Sequence, residues 1–303
     1  MSGPLLILDS ATLYYRAFYA LPEKMTAPDG RPHNGVRGFL SMLTKLITIH
    51  HPSGIVAAWD NDWRPAWRVE LVPSYKTHRG QTSSGDEEVP DTLSPQIDAI
   101  AAILDAWGIA RIGIDGFEAD DVIASVAAQH QGRSFVVTSD RDLIQVVTDR
   151  VSLLLQVTGG VENWPVLDPG GIESRYGVSP IDYLAMAALR GDPSDGLPGI
   201  AGIGDKTACA LVSAYGNLER LIQASNASAC ENPLTPRLAE RISAGAAYLE
   251  AAMAVMTAET RLPVGAWAFD VPYEPIDGGA LNDVAVTWGV EKYVDELLQA
   301  ALG

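Results

Sequence analysis

Gly116-Phe117-Glu118-Ala119-Asp120-Asp121-Val122-Ile123-Ala124 places three carboxylates within four positions, directly before an apolar pattern (Val122, Ile123, Val126, Ala127) that recurs at helical spacing. The acids therefore fall on the first turn of a helix. The free N–H groups of that turn favour one or two acids as ordinary caps. Three acids also repel one another, which calls for a cation at the same place.

On either side of this stretch the chain repeats one arrangement: a short β-prone apolar run ending at an aspartate. Leu5-Leu6-Ile7-Leu8 ends at Asp9, Ile55-Val56-Ala57-Ala58-Trp59 at Asp60, and Phe135-Val136-Val137-Thr138-Ser139 at Asp140, with Asp142 two residues on. Helical patterns lie between them at 35–50, at 95–107 (Ile97, Ile100, Leu104 and Trp107 on one face) and at 120–130. Nearly continuous apolar strands separated by helices predict an α/β fold with a central, mostly parallel sheet covered on both faces. Ligands of such sheets bind beyond the carboxyl ends of the strands, where Asp9, Asp60 and Asp140 would converge.

Residues 61–94 interrupt the pattern with basic, aromatic and then polar residues, and read as a partly helical excursion over the strand ends. A further strand is expected at Val151–Val157. Beyond Gly159-Gly160 the chain turns helical: Asp168 caps a helix through Tyr176, and Ser179 caps one through Leu189. Residues 207–258 are Ala-rich and helical, 259–287 read as irregular around Pro263, Pro272 and Pro275, and Val290–Leu302 as a closing helix. This divides the chain into an α/β portion, 1–178, and a helical portion, 179–303.

The 303 residues suffice for a large core without covalent staples. No apolar run is long enough to span a membrane, and no basic, signal-like start precedes Leu5, so a cytoplasmic protein is expected, acting as a monomer. Cys209 and Cys230 have no partner at metal-ligand spacing and read as reduced thiols. Thirty-eight acids against 21 bases give a net charge of −17, which argues against a general polyanion surface. Any nucleic-acid contact must be local. Arg64, Arg68, Lys76 and Arg79, with His78, form the one dense basic cluster.

Three constellations carry chemistry. Asp192 and Asp195, three apart, complete a set of nine acids with Asp9, Asp60, Glu118, Asp120, Asp121, Asp140 and Asp142. Oxygen-only ligands suit Mg²⁺ or Mn²⁺ and disfavour zinc. Two such ions can activate water and stabilise the leaving oxygen of an in-line phosphoryl displacement, with the surplus acids acting through water or as orienting groups. Next, the turn through Gly199, Gly202 and Gly204 feeds Lys206-Thr207-Ala208. Glycine-exposed backbone N–H groups at a helix start, with a lysine alongside, suit a nucleic-acid phosphate and read no sequence. Last, Lys76 and Arg79 stand one helical turn apart, placed to meet a phosphate over the metals, with Tyr75 available to stack on an unpaired base.

These motifs, in this order and covering about the first 215 residues, resemble the 5′-nuclease superfamily of flap endonucleases and 5′→3′ exonucleases, including the N-terminal nuclease domain of bacterial DNA polymerase I. The resemblance rests on Leu5–Asp9 with Tyr15-Arg16-Ala17-Phe18, Tyr75–Arg79, Gly116–Asp121, Thr138–Asp142, Gly191–Asp195 and the glycine hairpin. It implies Mg²⁺- or Mn²⁺-dependent hydrolysis of DNA at 5′ ends, flaps, nicks or gaps in replication and repair. It also implies a helical arch at 61–94 and a helix–hairpin–helix DNA clamp at 183–215. A potassium ion on the backbone around Leu197, Ile200 and Ile203 is a further implication, and Arg16 and Arg37 are candidate strand contacts.

Ser139 departs from a usual glycine, Gly196 from a usual asparagine, and the polar stretch 81–88 is an insert in the arch. With no polymerase region in the sequence, a stand-alone nuclease is expected. The competing readings are a non-catalytic DNA-junction binding module and a PIN-type RNA nuclease. Within the triplet, Asp120 is the expected direct ligand, with Glu118 and Asp121 direct or through water.

Overall fold

The computed structural model describes residues 3–77, 79, 89–227, 230–265 and 268–302. Its centre is a six-stranded sheet of β1 (Leu5–Asp9), β2 (Gly54–Ala58), β3 (Ala110–Ile112), β4 (Ser134–Thr138), β5 (Val151–Leu155) and β6 (Val166–Leu167), in the order β3-β2-β1-β4-β5-β6. The pairs from β3 to β5 are parallel, and β6 closes one edge antiparallel. Strand order reverses between β1 and β4, so the crevice beyond their carboxyl ends is the natural ligand site. Asp9 ends β1 and Asp140 follows β4 at that point.

Every residue of β1, β2 and β4 is buried, and alternate side chains feed two cores. Leu5, Ile7, Val56, Ala58, Val136 and Leu153 join the core beneath α5 (Ala119–Gln129) and the helical portion. Leu6, Leu8, Ile55, Ala57, Val137 and Leu154 join the opposite core, beneath α1 (Ser10–Ala20), α2 (Asn34–His50) and α4 (Ser94–Trp107). Each fully buried aliphatic side chain stabilises by roughly 1.5–3 kcal/mol over its exposed state. This is the α/β architecture expected.

Two local readings need correction, and two elements went unread. Helix α1 begins at Ser10 with no intervening turn, because Asp9 is both the last strand residue and the helix cap, accepting from the Thr12 N–H at 3.2 Å. Strand β3 is too short for its pattern to show. The expected excursion contains α3 (Ala66–Leu71) and then hydrogen-bonded turns, so Lys76 and Arg79 do not share a helix; Lys76 is left-handed, at φ 51°. His78 and the insert at 81–88 lie outside the described residues. Residues 278–287, read as irregular, fall in α12 (Gly278–Trp288), capped by Asp277 through the Ala280 N–H at 2.9 Å.

Beyond β6 come α6 (Pro169–Tyr176), α7 (Tyr183–Arg190), α8 (Asp205–Tyr215), α9 (Leu218–Asn226), α10 (Pro236–Ala244) and α11 (Ala246–Met256). Helix α7 packs on α8 and α11 and on the turn Asp142–Val146, which brings the segment after α7 to the mouth of the crevice. The last two helices, α12 and α13 (Glu291–Leu302), return to the other side and pack on α4 and α2. They share the second core through Leu281, Ala285, Trp288, Val294 and Leu297.

Candidate active site

The carboxylates gather at the carboxyl ends of β1, β2 and β4. Asp9 is buried, and Thr138 donates to its Oδ2 at 2.6 Å. Burial raises its carboxyl to about 7, with Asp60 and Asp140 adding to the rise. Asp60 accepts the Ala119 N–H at 2.8 Å, which ties the β2 end to the start of α5. Asp120 is pushed well above the ordinary carboxylate range by burial and by the charges of Asp140 and Asp9. Asp142 is raised in the same way, by burial and then by Asp140, Asp195 and Asp192. Asp140 accepts the Asp142 N–H at 2.8 Å.

Asp9, Asp60, Glu118 and Asp120 thus form one acidic wall; Asp142, Asp192 and Asp195 form another. Asp140 is common to both, because its charge acts on Asp9, Asp120, Asp142 and Asp195. Among the described residues no three His, Cys, Asp or Glu side chains are grouped so as to hold an ion as they stand. The donor chemistry nonetheless fits a divalent cation: oxygen ligands only, crowded enough to raise one another's proton affinity, with few cations among them.

Asp121 does not belong to this set. It is 0% exposed, accepts two bonds from the Arg68 guanidinium (2.9 and 2.8 Å), and accepts the N–H groups of Glu118 (3.0 Å) and Glu259 (2.8 Å). Glu118 and Asp121 make a reciprocal capping box at the start of α5. Both Asp121 oxygens are thereby used in holding α3, α5 and the segment after α11 together. The expectation of Asp121 as a metal ligand fails because the helix turns it into the core.

The basic cluster is also largely internal. Arg68 is 2% exposed, and its Nε donates to the Val255 carbonyl at 2.9 Å. Arg64 donates from Nε to the Tyr75 carbonyl at 2.7 Å. Tyr75 is buried and its hydroxyl donates to Glu118 at 3.0 Å, so it presents no face for base stacking. Lys76 reaches the site: its Nζ donates to Glu118 Oε2 at 2.7 Å. Burial lowers Lys76, but Glu118 and Asp195 outweigh it and hold the ammonium charged. Burial raises Glu118 to about 7 against the pull of Lys76 and Arg68. Arg79 pairs with Asp195 at 3.2 Å. A cavity of about 1020 Å³ opens here, lined by Asp9, Asp60, Lys76, Arg79, Glu118 and Asp120 and extending past Arg16 and Arg37.

Gly196 has a physical reason. Its φ is 70°, and a Cβ there would stand 2.1 Å from the Ser74 carbonyl oxygen. The Lys76 N–H donates to the Asp195 carbonyl at 3.0 Å across the same contact. The turn carrying Asp192 and Asp195 is thus seated against the backbone carrying Lys76, with no space for an asparagine.

The glycine hairpin joins α7 to α8. Gly199 and Gly202 have φ of 68° and 84°. The Gly199 N–H is taken by the Tyr248 hydroxyl at 2.8 Å, so it is not open to a phosphate. Gly204 precedes α8 without a side-chain cap, leaving the first-turn amides beside exposed Lys206 and half-buried Thr207. The Leu197 carbonyl accepts from Asp192 at 2.9 Å and that of Ile200 from Ile203 at 3.0 Å.

Residues 4–177 match the family model described as 5′-3′ exonuclease, N-terminal resolvase-like domain, and residues 178–278 that described as 5′-3′ exonuclease, C-terminal SAM fold. The chain belongs to the 5′-3′ exonuclease family. A 5′-3′ exonuclease of Streptomyces coelicolor is 43% identical, over 97% of this chain and 98% of its own length. A 5′-3′ exonuclease of Mycobacterium tuberculosis is 38% identical, over 99% and 98%. A DNA polymerase I of Mycobacterium bovis is 41% identical over 72% of this chain and 24% of its own length.

Two solved structures share the fold at 17% identity and a TM-score of 0.64. One is a bacteriophage T5 5′-exonuclease with bound divalent metal ions (zinc), covering 98% of this chain and 99% of its own. The other is the catalytic core of Rad2 in complex with DNA substrate, covering 99% and 93%.

Within this exonuclease fold, sequence reasoning missed the groups that support the acids. Thr12 and Thr138 hold Asp9, and Arg68 withdraws Asp121. Only the Glu118-x-x-Asp121 spacing, which is a capping-box spacing, signalled the last of these.

Proposed function

We propose that this exonuclease hydrolyses DNA phosphodiesters at 5′ ends and flap junctions, using two divalent ions, Mg²⁺ or Mn²⁺. The observation that carries the reading is the double acidic wall sharing Asp140 at the topological switch of the sheet. Asp9, Asp60, Glu118, Asp120 and Asp140 would hold one ion and Asp140, Asp142, Asp192 and Asp195 the other, directly or through water. Bound there, such ions supply a nucleophilic hydroxide near neutral pH and charge for the leaving oxygen.

The chain's own residues do the rest. Lys76 and Arg79 stand at the acids with their charges intact and can exchange Glu118 and Asp195 for a substrate phosphate. The α8 start, with Lys206 and Thr207, grips duplex backbone without reading sequence. Arg16 and Arg37, in the cavity wall, face the strand path. The Leu197, Ile200 and Ile203 carbonyls are candidates for K⁺. Nicked and gapped duplexes are further substrates, and a cytoplasmic monomer is the proposed working form. No helix among the described residues is long and apolar enough to cross a membrane.

The test is cleavage of 5′-flap DNA, gapped duplex and single-stranded RNA with Mg²⁺, Mn²⁺ or EDTA. Metal-dependent cutting of flap DNA is expected, with RNA spared. Tight DNA binding without cutting in either metal would mean a junction-binding module instead.

A further inference from the structure

Arg190 ends α7 and stands just before the turn that carries Asp192 and Asp195. A cation at a helix carboxyl end suits the helix dipole, but this side chain reaches beyond its own helix. Its Nε donates to the Gly191 carbonyl at 3.1 Å, its Nη1 donates to Asp205 Oδ1 at 3.1 Å, and its Nη2 lies 3.6 Å from Asp192 Oδ2. The side chain is 17% exposed, so these contacts fix a charge that is largely withdrawn from solvent. Asp192 belongs to the second acidic wall. Asp205 is the first residue of α8, the helix start proposed to grip duplex backbone. A single guanidinium therefore stands between the proposed ions and the proposed clamp, and neither of those readings uses it.

The backbone around it is pinned. The Ile200 N–H donates to the Leu189 carbonyl and the Asp192 N–H to the Leu197 carbonyl, each at 2.9 Å. Gly199, at φ 68°, lies so close that a Cβ there would stand 2.5 Å from the Arg190 carbonyl oxygen. The hairpin and the Asp192 turn thus hold one position relative to each other, and the rotatable Arg190 side chain is the part of the link able to adjust. Its charge acts oppositely at its two ends. Beside Asp192 it opposes a bound cation, and it reaches Asp142, where it favours the carboxylate against burial and the neighbouring acids. Beside Asp205, whose side chain is 75% exposed, it offsets a negative charge that would otherwise repel a phosphate at the same helix turn. We propose that Arg190 is a positioning residue that weakens ion binding at Asp192 and strengthens phosphate binding at the α8 start. The guanidinium leaves Asp192 when a cation is bound there, and a phosphate at α8 draws it the same way, so each ligand favours the other. Such coupling acts equally in both directions.

The role rests on the nuclease reading, which supplies both the ions and the duplex. Arg190→Met removes the charge and keeps an unbranched stem; Arg190→Lys keeps the charge without the fork. Mn²⁺ binding is measured by calorimetry at pH 8 without DNA, and duplex DNA binding in EDTA at fixed salt, both on the full chain. Urea midpoints taken in parallel show that the variants fold. Arg190→Met is expected to bind one of the two ions about three- to tenfold more tightly and duplex about three- to tenfold more weakly. Arg190→Lys should stay close to the wild type in both. Asp205→Asn, on an exposed side chain, tests the link from its other end: Arg190 then turns to Asp192, so ion binding should weaken while duplex binding tightens. A side chain that only braced the turn would lose both ligands together. A folded Arg190→Met protein that loses both or changes neither overturns the role, as does an Asp205→Asn protein with wild-type ion affinity. Wild type that takes neither Mn²⁺ nor duplex removes the nuclease reading and the role with it; where wild type takes both, failure in the variants removes the role alone.

Discussion

Asp120 and Asp121 are sequence neighbours set about 100° apart around α5, and that angle gives them opposite roles. Asp121→Asn breaks a buried bidentate pair and leaves Arg68 only its 3.4 Å contact with Glu118, which should cost about 3 kcal/mol in urea unfolding. Asp120→Asn removes an acid already crowded by Asp140 and Asp9, so in EDTA it should leave stability unchanged or raised while abolishing metal-dependent cutting. Equal losses of stability in the two variants would contradict the assignment. Proton uptake follows from the same crowding. Asp9, whose ordinary value is 3.8, and Glu118, ordinarily 4.5, both rise to about 7 in the fold, so the native state holds more protons than the unfolded chain between about pH 4 and pH 7. Stability of the metal-free protein is therefore full at the acid end of that window and falls as pH rises through about 7, by at most about 4 kcal/mol for Asp9. Urea midpoints in EDTA at pH 5.5 and 8 check this, and Mn²⁺ should restore more stability at pH 8 than at pH 5.5.

At the scale of elements, the contact between the Ser74–Lys76 turn and the Asp192–Leu197 turn decides whether Lys76 and Asp195 meet. Gly196→Asn adds a Cβ into the Ser74 carbonyl, so it should lower stability by roughly 1–3 kcal/mol and reduce flap cleavage along with it. An active, stable Gly196→Asn protein would show that the two turns part freely. The strands ending at Asp9, Asp60 and Asp140 were legible because a continuous apolar run that stops at a single acid suits a buried parallel strand and little else. Helix α12 was not, since Pro263, Pro272 and Pro275 read as marking an irregular stretch, whereas the Asp277 cap and burial of Leu281, Ala285 and Trp288 support a helix there. The turn of Asp121 into the core depends on Arg68 and Glu259, distant in sequence, and no local pattern reveals such partners. Tyr75 misled for the same reason: its basic neighbours suggested a surface, while its hydroxyl is bonded to Glu118 inside.

For the whole molecule, the closing helices α12 and α13 are part of the α/β body rather than an appendage of the helical portion. Ending the chain at residue 277 would uncover the α2 and α4 faces that Leu281, Trp288, Val294 and Leu297 now cover, so the thermal midpoint should fall by many degrees. A truncated protein melting with the wild type would place these helices outside the core. Across the fold, the strand ends, the α5 start and the turn after α7 bring acids from five separate segments to one crevice, in a chain already carrying a charge of −17. Protons relieve that concentration of charge at acid pH, and bound cations would relieve it at pH 8. Mn²⁺ calorimetry at pH 8 is the decisive measurement, comparing the wild type with Asp140→Asn and Asp192→Asn. Two ions are expected on the wild type, both weakened at least tenfold by Asp140→Asn and only one by Asp192→Asn. Undiminished binding of both ions to Asp140→Asn would contradict a pair of acidic walls joined at Asp140.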